Sequence, residues 1–156
     1  MKKKIFLLSS LFIVFDQIIK VIIRNTLTYH VEYFIIPKFF YLTYVKNTGG
    51  AFSILENNQL FLALIGCFFI AFIVSYIYKK KDIKKIDVIT YSLLISGIIG
   101  NLIDRILLNG VTDYIGLIFG NYYYPIFNFA DICIVIGVII LVLIEFRGEK
   151  NGSSSN

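Results

Sequence analysis

The stretch GNLIDRILLNGVTDYIGLIFGNYYYPIFNFAD, from Gly100 to Asp131, decides how the chain is read. Asn101, Asp104, Arg105, Asp113, Asn128 and Asp131 lie here at the margins of segments that otherwise look made for lipid. An ionised side chain at the centre of a bilayer costs roughly 2.5–3.5 kcal/mol on insertion scales, so several together require mutual pairing or a wet cavity. The rest of the chain must therefore supply partners for them.

Composition points the same way. The 156 residues are 58% hydrophobic and 17% aromatic, with a mean hydropathy of +0.79 and two prolines, which is too apolar for a soluble domain of this size. The formal charge of +5 does not indicate nucleic acid, because the lysines fall in short blocks at the ends of apolar runs rather than along one polar face. Cys67 and Cys133 both lie inside apolar runs and read as small buried hydrophobes rather than as a disulfide or metal ligands.

Working outward, four apolar runs are near spanning length and predict four transmembrane helices at about 5–23, 60–78, 88–108 and 126–146. Lys2 to Lys4 ahead of the first run resemble a signal peptide. That run is long, carries Asp16 and Lys20, and lacks a small-residue cleavage site, so it is read as a retained helix. Lys and Arg concentrate at the amino terminus, in KKKDIKK (Lys79 to Lys85) and at Arg147 and Lys150, which predicts two cytoplasmic termini. Outer loops then cover about 24–59 and 109–125, in one membrane-embedded domain over 1–150 with a flexible tail at 151–156. VEYFII and FYLTYV, flanking Pro37, suit a small strand pair at the membrane surface, although an interfacial aromatic patch fits them equally well. Tyr122 to Tyr124 invite that aromatic reading too, and His30 reads as an interfacial polar residue.

This topology puts Asp16, Lys20, Asp104, Arg105 and Asp131 in the outer leaflet, with Asp113 just beyond, while the second helix has no Asp, Glu, Lys or Arg. Asn101, Asp104 and Arg105 share one helix face, as do Asp16 and Lys20, which read first as an ion pair near the interface. Asn128, one turn before Asp131, could simply cap the fourth helix. With a single histidine, a Ser-His-Asp triad or a multi-histidine metal site has little to be built from. Two carboxylates held close can share one proton, one serving as base toward water while the other polarises a carbonyl. Asp113 and Asp131 are the natural pair for such aspartic peptide hydrolysis.

The strings FDQIIK (Phe15 to Lys20), NTGGAFS (Asn47 to Ser53), GNLIDR (Gly100 to Arg105), GVTDYI (Gly110 to Ile115) and FNFAD (Phe127 to Asp131) resemble the ordered motif set of the lipoprotein signal peptidases, the type II signal peptidases. The resemblance implies an all-α membrane bundle of four helices with a small extracytoplasmic β-sheet region around Val31 to Val45. It implies an aspartic endopeptidase of the bacterial cytoplasmic membrane, working at the outer leaflet. The substrate would be a diacylglyceryl-modified prolipoprotein, cut just before the lipidated cysteine. By motif, Asp113 and Asp131 match the catalytic dyad. Asn47, Gly49, Asn101, Arg105, Asn128 and Ala130 match positions that shape the substrate cleft, and Asp16 and Lys20 match a supporting pair. No metal or other cofactor and no nucleic acid is implied; membrane lipid and cyclic peptide inhibitors such as globomycin are. Gly50 stands where the family usually has alanine and Ile132 where it often has serine. A four-helix proton-coupled transporter, a non-catalytic membrane scaffold and a Ser-Lys peptidase using Ser53 and Lys46 are the rival readings.

Overall fold

The computed structural model describes residues 1–49 and 57–152, with side chains as far as 146. Four long helices, α1 (Lys2–Thr26), α2 (Gln59–Lys79), α3 (Lys85–Leu108) and α4 (Phe129–Gly152), carry spans long and apolar enough to cross a membrane. Four strands, β1 (Tyr33–Ile36), β2 (Phe40–Asn47), β3 (Val111–Phe119) and β4 (Tyr122–Tyr123), form one antiparallel sheet in the order β1-β2-β3-β4. The expected membrane bundle with a small sheet is what the chain forms. Gly50 and Ser53, like the tail beyond 152, lie outside the described residues.

α3 is the central helix, packed on α1, α2 and α4, whereas α2 packs chiefly on α3. Its residues explain the position. Lipid tails are as apolar as leucine, so helices in a bilayer associate through close packing and polar contacts between small residues. α3 supplies Thr90, Ser92, Ser96, Gly97 and Gly100, all buried. The Ser92 hydroxyl donates to the Ile5 carbonyl of α1 at 3.0 Å. A Cβ at Gly97 would run into the Ala130 carbonyl and come within 2.6 Å of Ile134 Cγ1, so glycine here lets α4 lie against α3 backbone to backbone. α2 and α4, rich in Leu, Ile, Val and Phe, turn much of their surface outward.

The second outer segment departs from the expectation of a tyrosine-rich loop. Asn109 ends α3 in a left-handed conformation (φ 55°) and Gly110 follows at φ 156°, together reversing the chain into β3. β3 then pairs along β2, with Asp113 opposite Val45 and Thr112 opposite Lys46. The sequence VTDYIGLIF alternates poorly because most of its side chains are buried on both faces, so period-2 patterning was absent. Tyr41 lies over Gly116, where any side chain would collide with its ring.

α4 likewise starts at Phe129 rather than near Ile126. Phe127 exchanges backbone hydrogen bonds with Ile115 at 2.8 and 3.1 Å, which holds it in an extended bridge to β3 and delays the helix.

Replacing Gly97 by alanine is expected to destabilise the protein by about 1–3 kcal/mol through overpacking against the α4 backbone. A Cβ at Gly66, whose nearest neighbours would be Ile98 Cγ2 at 3.6 Å and Leu102 Cδ1 at 3.7 Å, meets only ordinary contacts. Gly66→Ala is expected to be neutral or to gain up to about 1 kcal/mol in helix propensity. Thermal unfolding of both variants in one detergent checks the pair, and equal effects would refute the close α3–α4 approach.

Candidate active site

The polar residues singled out in the sequence converge at one end of the bundle, where α1 and α3 end, α4 begins and the sheet is attached. At their centre the Lys20 ammonium lies 2.9 Å from Asp16 and 3.4 Å from Asp104. Lys20 is fully buried, and each of the two aspartates is 1% exposed. The ion pair expected of Asp16 and Lys20 is present, and Asp104 joins it as a second carboxylate on the same ammonium. Burying one charge in isolation would be prohibitive, but a cation between two anions with further hydrogen bonds is tolerated. Arg24, one turn beyond Lys20, adds a second cation 3.8 Å from Asp104.

The two carboxylates of this cluster reach out to the backbone on either side. Asp104 Oδ2 accepts the N–H of Thr112 at 2.9 Å, and Asp16 Oδ1 accepts the N–H of Ala130 at 3.1 Å. Thr112 directly precedes Asp113, and Ala130 directly precedes Asp131. The buried charges thus hold the chain on which each of the other two aspartates stands.

Asn128 opens α4 as an N-cap. Its Oδ1 accepts the N–H of Asp131 at 3.0 Å while Asp131 Oδ2 accepts the N–H of Asn128 at 3.1 Å, the reciprocal pattern of a capping box. The cap reading of Asn128 is therefore right but incomplete, since its Nδ2 also donates to Asp113 Oδ1 at 2.6 Å and to Asn101 Oδ1 at 3.2 Å. Asn101 Nδ2 donates to Asp131 Oδ1 at 2.7 Å, and Asn47 Nδ2 to Asp113 Oδ2 at 2.9 Å. All four oxygens of Asp113 and Asp131 thus accept an amide hydrogen.

The orientation of each asparagine is dictated by a group that can only donate. Lys20 Nζ, 3.0 Å from Asn101 Oδ1, turns the Asn101 amide nitrogen toward Asp131. The Asp131 N–H does the same for Asn128, and the Gly49 N–H, 2.8 Å from Asn47 Oδ1, for Asn47. Arg105 donates to the Gly49 carbonyl at 3.3 Å, tying the end of β2 to α3. Burial first, and the charge of Asp131 second, push the Asp113 carboxyl up to about 7. Tyr114, buried beside it, accepts the N–H of Phe129 at 3.2 Å, and burial raises its hydroxyl as well.

All ten residues expected from the sequence belong to this one network. Asp104, singled out in the sequence with Arg105, belongs to it too, and Gln17, Arg24 and Thr112 join it without having been named as site residues. Gln17 donates to the Gly100 carbonyl and to Asp16, each at 3.1 Å. Spacing could have found Arg24, since Asp16, Lys20 and Arg24 recur every four residues on one helix face; nothing local marks Thr112, which acts through its backbone. Lys46 is exposed on β2, so it is not the desolvated lysine that a Ser-Lys peptidase needs. No cluster with metal-ligand composition occurs among the described residues.

Known proteins share this architecture. A family model for signal peptidase (SPase) II matches residues 8–147. A lipoprotein signal peptidase of Symbiobacterium thermophilum is 36% identical over 147 residues, covering 94% of this chain and 97% of that one. Those of Listeria monocytogenes and Bacillus pumilus are each 36% identical, over 93% and 96% of this chain and 94% and 97% of theirs. Two solved bacterial membrane enzymes superpose with TM-scores of 0.87 and 0.80, at 31% and 32% identity, over 94% and 90% of this chain and 90% of each of theirs.

Truncating the central cation in Lys20→Met is expected to cost about 3–5 kcal/mol, because it strands two buried carboxylates. Adding Asp16→Asn to Lys20→Met should restore part of that loss, a coupling readable as non-additive unfolding free energies. Additive effects would show that the three charges do not act as a unit.

Proposed function

The chain belongs to the signal peptidase II family, and from that premise we propose that it is an aspartic endopeptidase in which Asp113 and Asp131 share one proton. It is a multi-pass membrane hydrolase that removes the signal peptide of prolipoproteins. The transporter and scaffold readings are not favoured by this membership. The observation that carries the dyad assignment is the holding of all four carboxylate oxygens by amide donors from α3, α4 and β2.

The chemistry follows from that arrangement. A carboxylate accepting one amide hydrogen per oxygen keeps lone pairs for a water and for a shared proton. One aspartate takes a proton from the water as it attacks the scissile carbonyl; the other, protonated, donates to the developing oxyanion, and the roles reverse as the amine leaves. Two adjacent carboxylates titrate as a pair, and an Asp113 proton held to about pH 7 keeps the singly protonated state available near neutrality. Because the donors are already oriented by Lys20, Gly49 and the start of α4, little reorganisation accompanies the reaction.

The substrate in this proposal is a diacylglyceryl-modified prolipoprotein, cut before its lipidated cysteine. Two acyl chains, at about 0.8 kcal/mol per buried CH₂, hold that cysteine at the membrane surface. A dyad at the junction of bundle and sheet meets a scissile bond at that depth. The lysine distribution supports cytoplasmic termini and an active site at the outer leaflet of a bacterial cell membrane. Residues 1–150 act as one peptidase domain. A cyclic peptide inhibitor such as globomycin would compete for the same cleft. Asn47, Gly49, Asn101, Arg105, Asn128 and Ala130 shape that cleft, with Asp16 and Lys20 as its support.

Asp113→Asn and Asp131→Asn should each lower prolipoprotein cleavage by at least roughly 10²–10⁴-fold while remaining folded in thermal unfolding. Near wild-type turnover in either folded variant would sink the dyad and leave Asp104 and Asp16 as the next candidates. Cleavage should also fall as pH rises past about 7, where Asp113 loses its proton, by about tenfold per unit. A profile flat from about pH 6 to 9 would contradict the shared proton.

A further inference from the structure

At the end of the bundle away from Asp113 and Asp131, the start of α1, the end of α2 and the start of α3 meet. Lys2 Nζ donates to the Tyr78 carbonyl at 2.8 Å and lies over the Tyr78 ring at 5.8 Å, which brings the amino-terminal lysines beside those of the α2–α3 connection. Phe6 packs on the same ring. Lys80 pairs with buried Asp87 at 2.9 Å and lies 5.7 Å from the Tyr76 and Tyr91 rings. Lys2 and Lys80 thus hold the junction together.

Six further lysines, Lys3, Lys4, Lys79, Lys81, Lys84 and Lys85, are exposed around them. None forms a salt bridge among the described residues, and Asp82 is the one exposed acid in the connection. Helix stability does not account for most of them: Lys79 lies in the last turn of α2, where the dipole favours a cation, but Lys3 and Lys4 lie in the first turn of α1 and Lys84 and Lys85 at the start of α3, where it disfavours one. Membrane orientation alone needs a bias of charge, whereas the three helix ends that meet here carry six exposed lysines with no salt bridge among the described residues. These lysines flank the ends of the apolar spans, where a bilayer crossed by those spans would present its lipid phosphates.

We propose that this lysine collar binds anionic phospholipid headgroups, with the phosphodiester oxygens accepting hydrogen bonds from the exposed ammonium groups. The long lysine stems reach from the helix ends to the phosphate plane, and several low-affinity contacts act together on a lipid already confined to the membrane. Phosphatidylglycerol bound there bridges α1 to the α2–α3 connection and stabilises the folded bundle over the unfolded chain. The site is separate from the dyad, and its binding readout does not depend on the proposed reaction.

The whole protein in neutral detergent would be titrated with phosphatidylglycerol, with phosphatidylcholine of the same acyl chains, or with inorganic phosphate, following thermal unfolding. The expected result is a rise in the midpoint with phosphatidylglycerol alone, shrinking at about 0.5 M salt as screening shortens. In Lys79→Gln/Lys81→Gln/Lys84→Gln/Lys85→Gln the apparent affinity should weaken by roughly fivefold for each lysine removed, while cleavage in neutral lipid is unchanged. Should that variant fail to fold, Lys84→Gln/Lys85→Gln must still show a partial loss. Equal shifts from the two lipids, an undiminished shift in the variants, or the same shift from inorganic phosphate would overturn the proposal.

Discussion

The buried ammonium of Lys20 between Asp16 and Asp104 is the interaction on which the rest depends. It sits where α1 meets α3 and stabilises two carboxylates that could not otherwise be buried in charged form. Those carboxylates reach the backbone of β3 and of α4, so one cation indirectly helps to fix both elements. A bilayer gives no hydrophobic drive for helices to associate, and polar contacts of this kind supply geometry that lipid-facing leucines cannot.

From that centre the constraint passes outward through amides. Asparagine has a donor end and an acceptor end of nearly the same shape, which makes it ambiguous unless a neighbour decides. Here Lys20 and two backbone N–H groups decide for Asn101, Asn128 and Asn47. Each oxygen of the carboxylates beyond them consequently meets an amide donor, and Lys20 reaches Asp131 through two hydrogen bonds and Asp113 through three. The sheet contributes through the same logic, since Asn47 is delivered by β2 and Asp113 by its neighbour β3.

Much of this was legible in the sequence. Apolar runs of spanning length announced the four helices, and the spacing of Asp16 with Lys20 and of Asn101 with Asp104 put them on shared faces. What could not be read was how deep those pairs lie: burial depends on Gly97 and Gly100 letting helices close on one another, a tertiary fact. β3 was hidden for a different reason. A strand covered on both faces loses the alternation that identifies strands, and Tyr122 to Tyr124 just beyond it looked like an interfacial belt. Thr112 and Ala130 contribute backbone groups, which carry no residue-specific mark; Ala130 stood out only through its motif.

The double use of the first turn of α4 sets the two aspartates apart in selection for stability. Active-site residues usually trade folding free energy for function, and replacing them often makes a protein hardier. In the proposed dyad, Asp131 breaks that pattern, because its carboxylate closes the capping box of its own helix, and caps are worth about 0.5–2 kcal/mol. Asp113 follows it, buried in a strand where its charge is unwelcome. On that proposal, drift toward a more robust but inactive chain would be drawn to position 113 and resisted at position 131, so the two members of the proposed pair are guarded by different forces.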